Sequence, residues 1–213
     1  MKVLSVNIGK AEPMQNAKAS GKTGIFKQPV QEQVFISKFG LKDDTICDTQ
    51  NHGGPDQAVY IYGAKDYGWW TCLLGKDVKA GTFGENLTIS ELASDSFAIG
   101  DRLQVGEVLL EVTAPRIPCV TLATRMGDPE FVKKFKEAEK PGLYCRVITE
   151  GYVRKGDEVR LIPFTGERIS AIEMFRDFYK AELSEQALRR YLAAPIAIRD
   201  RVDKEAKLQK RLN

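Results

Sequence analysis

Cys119 is the side chain with the widest range of chemistry open to it. It ends the segment Ala114-Pro115-Arg116-Ile117-Pro118-Cys119, in which two prolines stiffen the chain and a nearby arginine favours thiolate over thiol. A thiolate can act as nucleophile, redox centre or soft metal ligand. These residues equally allow a cysteine that fills a small apolar space before Val120 and Leu122. His52 is the single histidine, so sites built on two or more imidazoles are excluded, the usual catalytic zinc and two-histidine iron patterns among them. It stands in Asn51-His52-Gly53-Gly54-Pro55-Asp56, where glycines let backbone approach a ligand closely; a plain turn role is the alternative.

Two more segments carry polar groups near turns. Gly81-Thr82-Phe83-Gly84-Glu85-Asn86-Leu87 sets the donor and acceptor of Asn86 at a strand entrance, which suits a heterocycle edge or an ordinary bulge. Lys22-Thr23-Gly24-Ile25-Phe26-Lys27 offers lysines and a hydroxyl, fit for a phosphate or for open solvent. Cys47, Cys72 and Cys145 have plainer contexts and read as packing residues. The four cysteines form no CxxC pair and no dense framework, as expected for reduced thiols in a cytoplasm.

The elements that must position these groups are mainly strands. Up to about residue 165 the apolar runs are short, β-branched and bounded by Gly, Pro, Asn and Asp, which predicts a sandwich or barrel. Gly106-Glu107 has the form of a two-residue hairpin link. One helix is expected over 65–74, capped by Asp66 and stopped by Gly75. Another should start at Asp128-Pro129 and stop at Lys140-Pro141-Gly142. From residue 166 the texture changes to helix formers, with Ser170, Ser184 and Pro195 opening three short helices that lean on the main domain.

The net charge of +3 does not suggest a nucleic-acid partner, and no run is apolar enough to span a membrane. Residues 1–165 balance 21 basic against 21 acidic side chains, so the whole excess falls in the tail. A solvated helical face explains that; a docking patch for an acidic partner is the alternative. The start of the chain lacks the pattern of an export signal, and a cytoplasmic location is expected.

Taken in order, several segments resemble the MOSC domain family, with the YiiM-like bacterial proteins as the nearest branch. They are Gly24-Ile25-Phe26-Lys27-Gln28-Pro29-Val30, Gly40-Leu41 through His52-Gly53-Gly54, Phe83-Gly84-Glu85-Asn86-Leu87-Thr88, Ile99-Gly100-Asp101, Pro115-Arg116-Ile117-Pro118-Cys119 and Gly142-Leu143-Tyr144-Cys145-Arg146-Val147. The resemblance implies a mainly β, barrel-like domain over 1–165, a three-helix domain over 166–213, and a molybdenum cofactor (molybdopterin) in a cleft. It makes Cys119 the protein ligand to the metal, and Lys27, Arg116 and Arg146 candidates for the cofactor phosphate or for charge balance. Asn86 and His52 would line the cleft. Two departures stand out: a Gly-Asp pair usual after Gly40-Leu41 is here Lys42-Asp43-Asp44, which would reshape the turn, and a lysine common after Asp56 is here Gln57.

By the same resemblance the activity is reduction of a small N-hydroxylated compound by oxygen-atom transfer, with His52 as a proton donor if it faces the cleft. The chain shows no flavin, haem or iron–sulfur pattern, so electrons would come from a separate reductase. A cofactor carrier and a persulfide sulfur-transfer protein are the competing functions. The oligomeric state stays open, a dimer being one option.

Overall fold

Short apolar runs separated by turn residues become thirteen strands among the described residues, which are 1–15, 21–49 and 52–212 of the computed structural model. In chain order the first are β1 (Val3–Ile8), β2 (Glu12–Pro13), β3 (Lys22–Thr23), β4 (Gln28–Val30), β5 (Val34–Ser37) and β6 (Gly40–Leu41). There follow β7 (Val59–Gly63), α1 (Ala64–Leu74), β8 (Leu87–Ile89), β9 (Arg102–Val105) and β10 (Val108–Pro115). The rest are α2 (Val120–Met126), α3 (Phe131–Ala138), β11 (Leu143–Thr149), β12 (Gly151–Val153), β13 (Val159–Ile162), α4 (Ala171–Phe178), α5 (Glu185–Ala193) and α6 (Ile198–Leu212).

Eight strands form one sheet in the order β13-β9-β10-β11-β7-β8-β1-β4, antiparallel except where β7 pairs with β8. β9 and β10 are joined by the expected two-residue hairpin, with Val105 opposite Val108 and Gly106 at φ 54, a conformation that glycine adopts without strain. The expected barrel is only approached. The sheet curls until the start of β1 meets the approach to β13 through a single bridge, Lys2 to Glu158, flanked by Val3 N–H to Asp157 and Val159 N–H to Met1. Among the described residues no ladder of paired strands closes it.

The helices differ from expectation in detail. Asp66 does not cap α1; Gly63 holds that position, while Asp66 is buried in the first turn and accepts from the Ser94 N–H at 2.9 Å and its hydroxyl at 2.5 Å. Asp128 accepts from Glu130 N–H at 3.0 Å, but the α-helix itself starts later, at Phe131, and stops at Glu139. Ser170 and Ser184 cap α4 and α5 as expected, each hydroxyl accepting from the N–H three residues on.

Packing ties these elements together. Trp70 of α1 lies against Phe83, Phe131 and Phe135 with ring centroids 5.1 to 5.9 Å apart, and its indole N–H donates to the Tyr62 hydroxyl at 2.7 Å. Apolar residues of α4 and α5, including Met174, Phe175 and Tyr191, join the same continuous core as the sheet. The start of α6 is pinned by Asp56, which accepts from the Ile198 N–H at 2.6 Å.

Candidate functional site

Cys119 follows β10 and opens α2, a helix the sequence reading did not anticipate; its backbone carbonyl accepts from the N–H groups of Leu122 and Ala123. The strand end and the helix start fix its sulfur at the meeting point of two cavities. An inner cleft runs from Cys119 and Arg116 past Asn86 and Lys27 towards Lys22 and Thr23. An outer groove runs from Cys119 along α4, α5 and α6. His52, Gln57, Cys119 and Tyr144 border both.

The electrostatics of the inner cleft favour an anion. Burial opposes ionisation of Cys119, but a hydrogen bond from His52, the charge on Arg116 and the Leu122 amide outweigh it and bring the thiol down to about 6. Arg116 is 5% exposed, donates to the Phe83 carbonyl, and lies 4.9 Å from the Tyr60 ring centroid. Burial disfavours its charge, yet the neighbouring Tyr144, Tyr60 and Cys119 keep the guanidinium protonated. Its buried Nε has no hydrogen-bond partner, and no carboxylate pairs with it among the described residues. A buried cation left in that condition calls for an anionic neighbour.

Lys27 and Asn86 also reach the cleft, already engaged. Asp44, which the sequence reading treated only as part of a reshaped turn, accepts from the Lys27 ammonium at 2.5 Å, from Asn86 Nδ2 at 2.9 Å and from the Gly9 N–H at 2.7 Å. Burial lowers the Lys27 pKa against the pull of that carboxylate. Asn86 Oδ1 accepts from the Tyr60 N–H at 3.1 Å, so this amide fixes β7 against β8 as well as facing the cleft. Gly84 shapes the same wall at φ 75, where a Cβ would lie 2.8 Å from Ile25 and 3.4 Å from Arg116.

Of the six residues singled out from sequence, Cys119, His52, Lys27, Asn86 and Arg116 therefore share one cleft. Arg146 lies apart from it. Its guanidinium pairs with Asp56 at 2.9 Å and Glu111 at 3.5 Å and donates to the carbonyls of Pro195 and Ile196, so its charge is spent joining the C-terminal helices to the sheet. In the turn Lys42-Asp43-Asp44, Asp43 takes φ 65, the left-handed conformation a glycine would favour. Asn51 lies outside the described residues. Sequence reasoning missed Asp44, Tyr60 and Tyr144, and it missed that Gln57 borders both cavities with a buried, unpartnered Oε1.

No group of three or more His, Cys, Asp or Glu side chains able to hold a metal converges among the described residues. A metal at Cys119 would need further ligands from a cofactor. The anion-seeking cleft, the thiolate-prone sulfur and the orphaned guanidinium nitrogen fit a pterin cofactor that carries a phosphate and a metal. No helix among the described residues is long and apolar enough to cross a membrane.

Comparison with known proteins identifies the family and the fold. The chain is 37% identical over 160 residues to the uncharacterized protein YflK of Bacillus subtilis, covering 75% of this chain and 72% of that one. It is 32% identical over 144 residues to a Gibberella moniliformis protein named reductase, of which the match spans only 26%. The crystal structure of YiiM from Geobacillus stearothermophilus superposes with a TM-score of 0.80 at 26% identity, over 97% of this chain and 98% of that one. A family model described as the MOSC domain matches residues 48–160. The chain belongs to the MOSC domain family, on its YiiM-like branch.

Proposed function

We propose that this protein is a molybdenum-cofactor-dependent reductase of small N-hydroxylated compounds, with the metal held through Cys119. The family membership supports the cofactor, and the relative named reductase supports the reaction class. One observation carries the reading: the cysteine whose surroundings favour the thiolate borders both the anion-favouring cleft and the groove along the C-terminal helices. Cofactor on one side and substrate on the other would meet at that sulfur.

A bound molybdenum centre supplies two-electron oxygen-atom transfer. The overall reaction is R–NHOH + 2 H⁺ + 2 e⁻ → R–NH₂ + H₂O, with the electrons drawn from a separate reductase. In this scheme Cys119 would give the metal a thiolate, and Arg116 would hold negative charge beside that sulfur. Asp44 keeps Lys27 and Asn86 in place through the contacts described above. His52, which favours the Cys119 thiolate and borders the groove, would pass a proton from its imidazole to the departing oxygen.

The test starts with elemental analysis of protein made in cofactor-sufficient cells, followed by assay with an aryl amidoxime and a chemical reductant. The proposal requires stoichiometric molybdenum and sustained turnover, both lost or severely reduced in Cys119→Ala. Absence of the metal would favour the persulfide reading. Metal without turnover would favour a cofactor carrier.

A further inference from the structure

Where the two cavities meet, the protein leaves one buried polar atom unused. Four residues border both the cleft and the groove: His52, Gln57, Cys119 and Tyr144. His52 favours the Cys119 thiolate, and that sulfur is the metal ligand proposed above. Gln57 carries the amide of the four, and its Oε1 is buried without a hydrogen-bond partner. An amide oxygen in that condition is costly until a donor entering the site satisfies it. The backbone beneath it is firmly held. Gln57 closes the short turn Pro55–Gln57 ahead of β7, and its own N–H donates to the Gly54 carbonyl at 3.1 Å. Asp56, next to it, is tied to three elements: the Thr113 hydroxyl of β10 donates to its carbonyl at 2.5 Å, Arg146 of β11 pairs with its carboxylate at 2.9 Å, and the Ile198 N–H of α6 donates to that carboxylate at 2.6 Å. A half-turn of the last side-chain torsion of Gln57 exchanges its oxygen and nitrogen at little cost, so the acceptor can turn towards the junction from a fixed base.

We propose that Gln57 is a specificity-determining residue: its amide oxygen accepts a hydrogen bond from an N–H group beside the substrate's N–O bond and so orients that bond towards Cys119. The proposal rests on the reductase reading for the reaction. Its geometry is independent, because Gln57 and Cys119 border the same two cavities. Arg116 and Lys27, which also line the cleft, can only donate, and Gln57 supplies an acceptor. The substrate class that fits is an amidoxime, R–C(NH₂)=N–OH, whose amino group lies one carbon away from the N–O nitrogen; a compound with that amino group fully alkylated does not fit.

The experiment compares benzamidoxime with N,N-dimethylbenzamidoxime, which lacks the donor, on wild-type, Gln57→Met and Gln57→Glu proteins. Molybdenum content and melting temperature are measured first. The methyl groups add the same bulk in all three proteins, so the change in preference between variants reports the hydrogen bond. Gln57→Met should lower the ratio of the two kcat/KM values about fivefold, and Gln57→Glu, which keeps an acceptor, should retain most of it. An unchanged ratio in Gln57→Met would overturn the assignment; so would loss of molybdenum from that variant, which would place the amide on the cofactor instead. Calorimetric titration of the proteins as purified, without reductant, judges Gln57 apart from turnover. A wild-type preference for benzamidoxime that falls about fivefold in Gln57→Met supports the assignment even if the reductase reading fails. Wild-type protein that binds both compounds alike, or neither, refutes it.

Discussion

Cys145 lies within the pairing of β10 with β11 and Cys119 just beyond its Pro115 end, and their surroundings drive the same atom in opposite directions. Cys145 sits opposite Val112 in the ladder, fully buried, and burial together with the nearby Glu111 pushes its thiol far up. Cys119 comes just past the end of β10, where burial also opposes ionisation, but His52, Arg116 and the opening of α2 prevail. The difference teaches that cations and donors at the strand end, more than exposure, separate a chemically poised sulfur from a packing one.

The largest effect that could break this comparison is on activity. Cys119→Ala should abolish turnover, whereas Cys145→Ala should keep it and lose only about 1 kcal/mol of stability to the small cavity left behind, measured by urea unfolding. Activity lost equally in both variants would show that the two sulfurs are not functionally distinct.

A second effect sharpens the electrostatic half of the contrast. In metal-free protein the Cys119 pKa falls from the ordinary 9.0 to about 6 on folding. Below pH 6 both states hold the proton and the thiol contributes nothing; between about 6 and 9 the unfolded chain binds more protons, so stability rises with pH. Relative to Cys119→Ala, wild-type stability should therefore climb across that window by at most about 4 kcal/mol, and flatten above it. His52→Gln should shrink the climb and move the midpoint of iodoacetamide labelling upward. A flat difference across the window would contradict the cause assigned to the shift.

Local pattern made part of the site legible. The prolines and Arg116 around Cys119 are close neighbours in sequence, and the Ser170 and Ser184 caps act over three residues, so both could be read without a fold. Asp44 could not, because Lys27 and Asn86 lie 17 and 42 residues from it and only the sheet brings them together. Arg146 looked like a site cation for the same reason: strand pairing sets Glu111 opposite it, and Asp56 reaches it from the turn before β7. The short helix α2 escaped notice because its N-cap is the cysteine itself, with no Ser, Thr, Asp or Asn to mark the start.

The smallest effect concerns the frame of the cleft. Asp43 holds a left-handed conformation next to the residue that anchors Lys27 and Asn86. Asp43→Gly should relieve roughly 0.5–1 kcal/mol of backbone strain, seen as a small rise in Tm, without altering Cys119 labelling. A fall in Tm would mean that the aspartate side chain contributes more to the turn than its backbone costs.

Molybdenum K-edge X-ray absorption of cofactor-loaded wild-type and Cys119→Ser proteins addresses the metal–sulfur bond itself. The account predicts one sulfur fewer in the first coordination shell of the serine variant. An unchanged sulfur shell would contradict it.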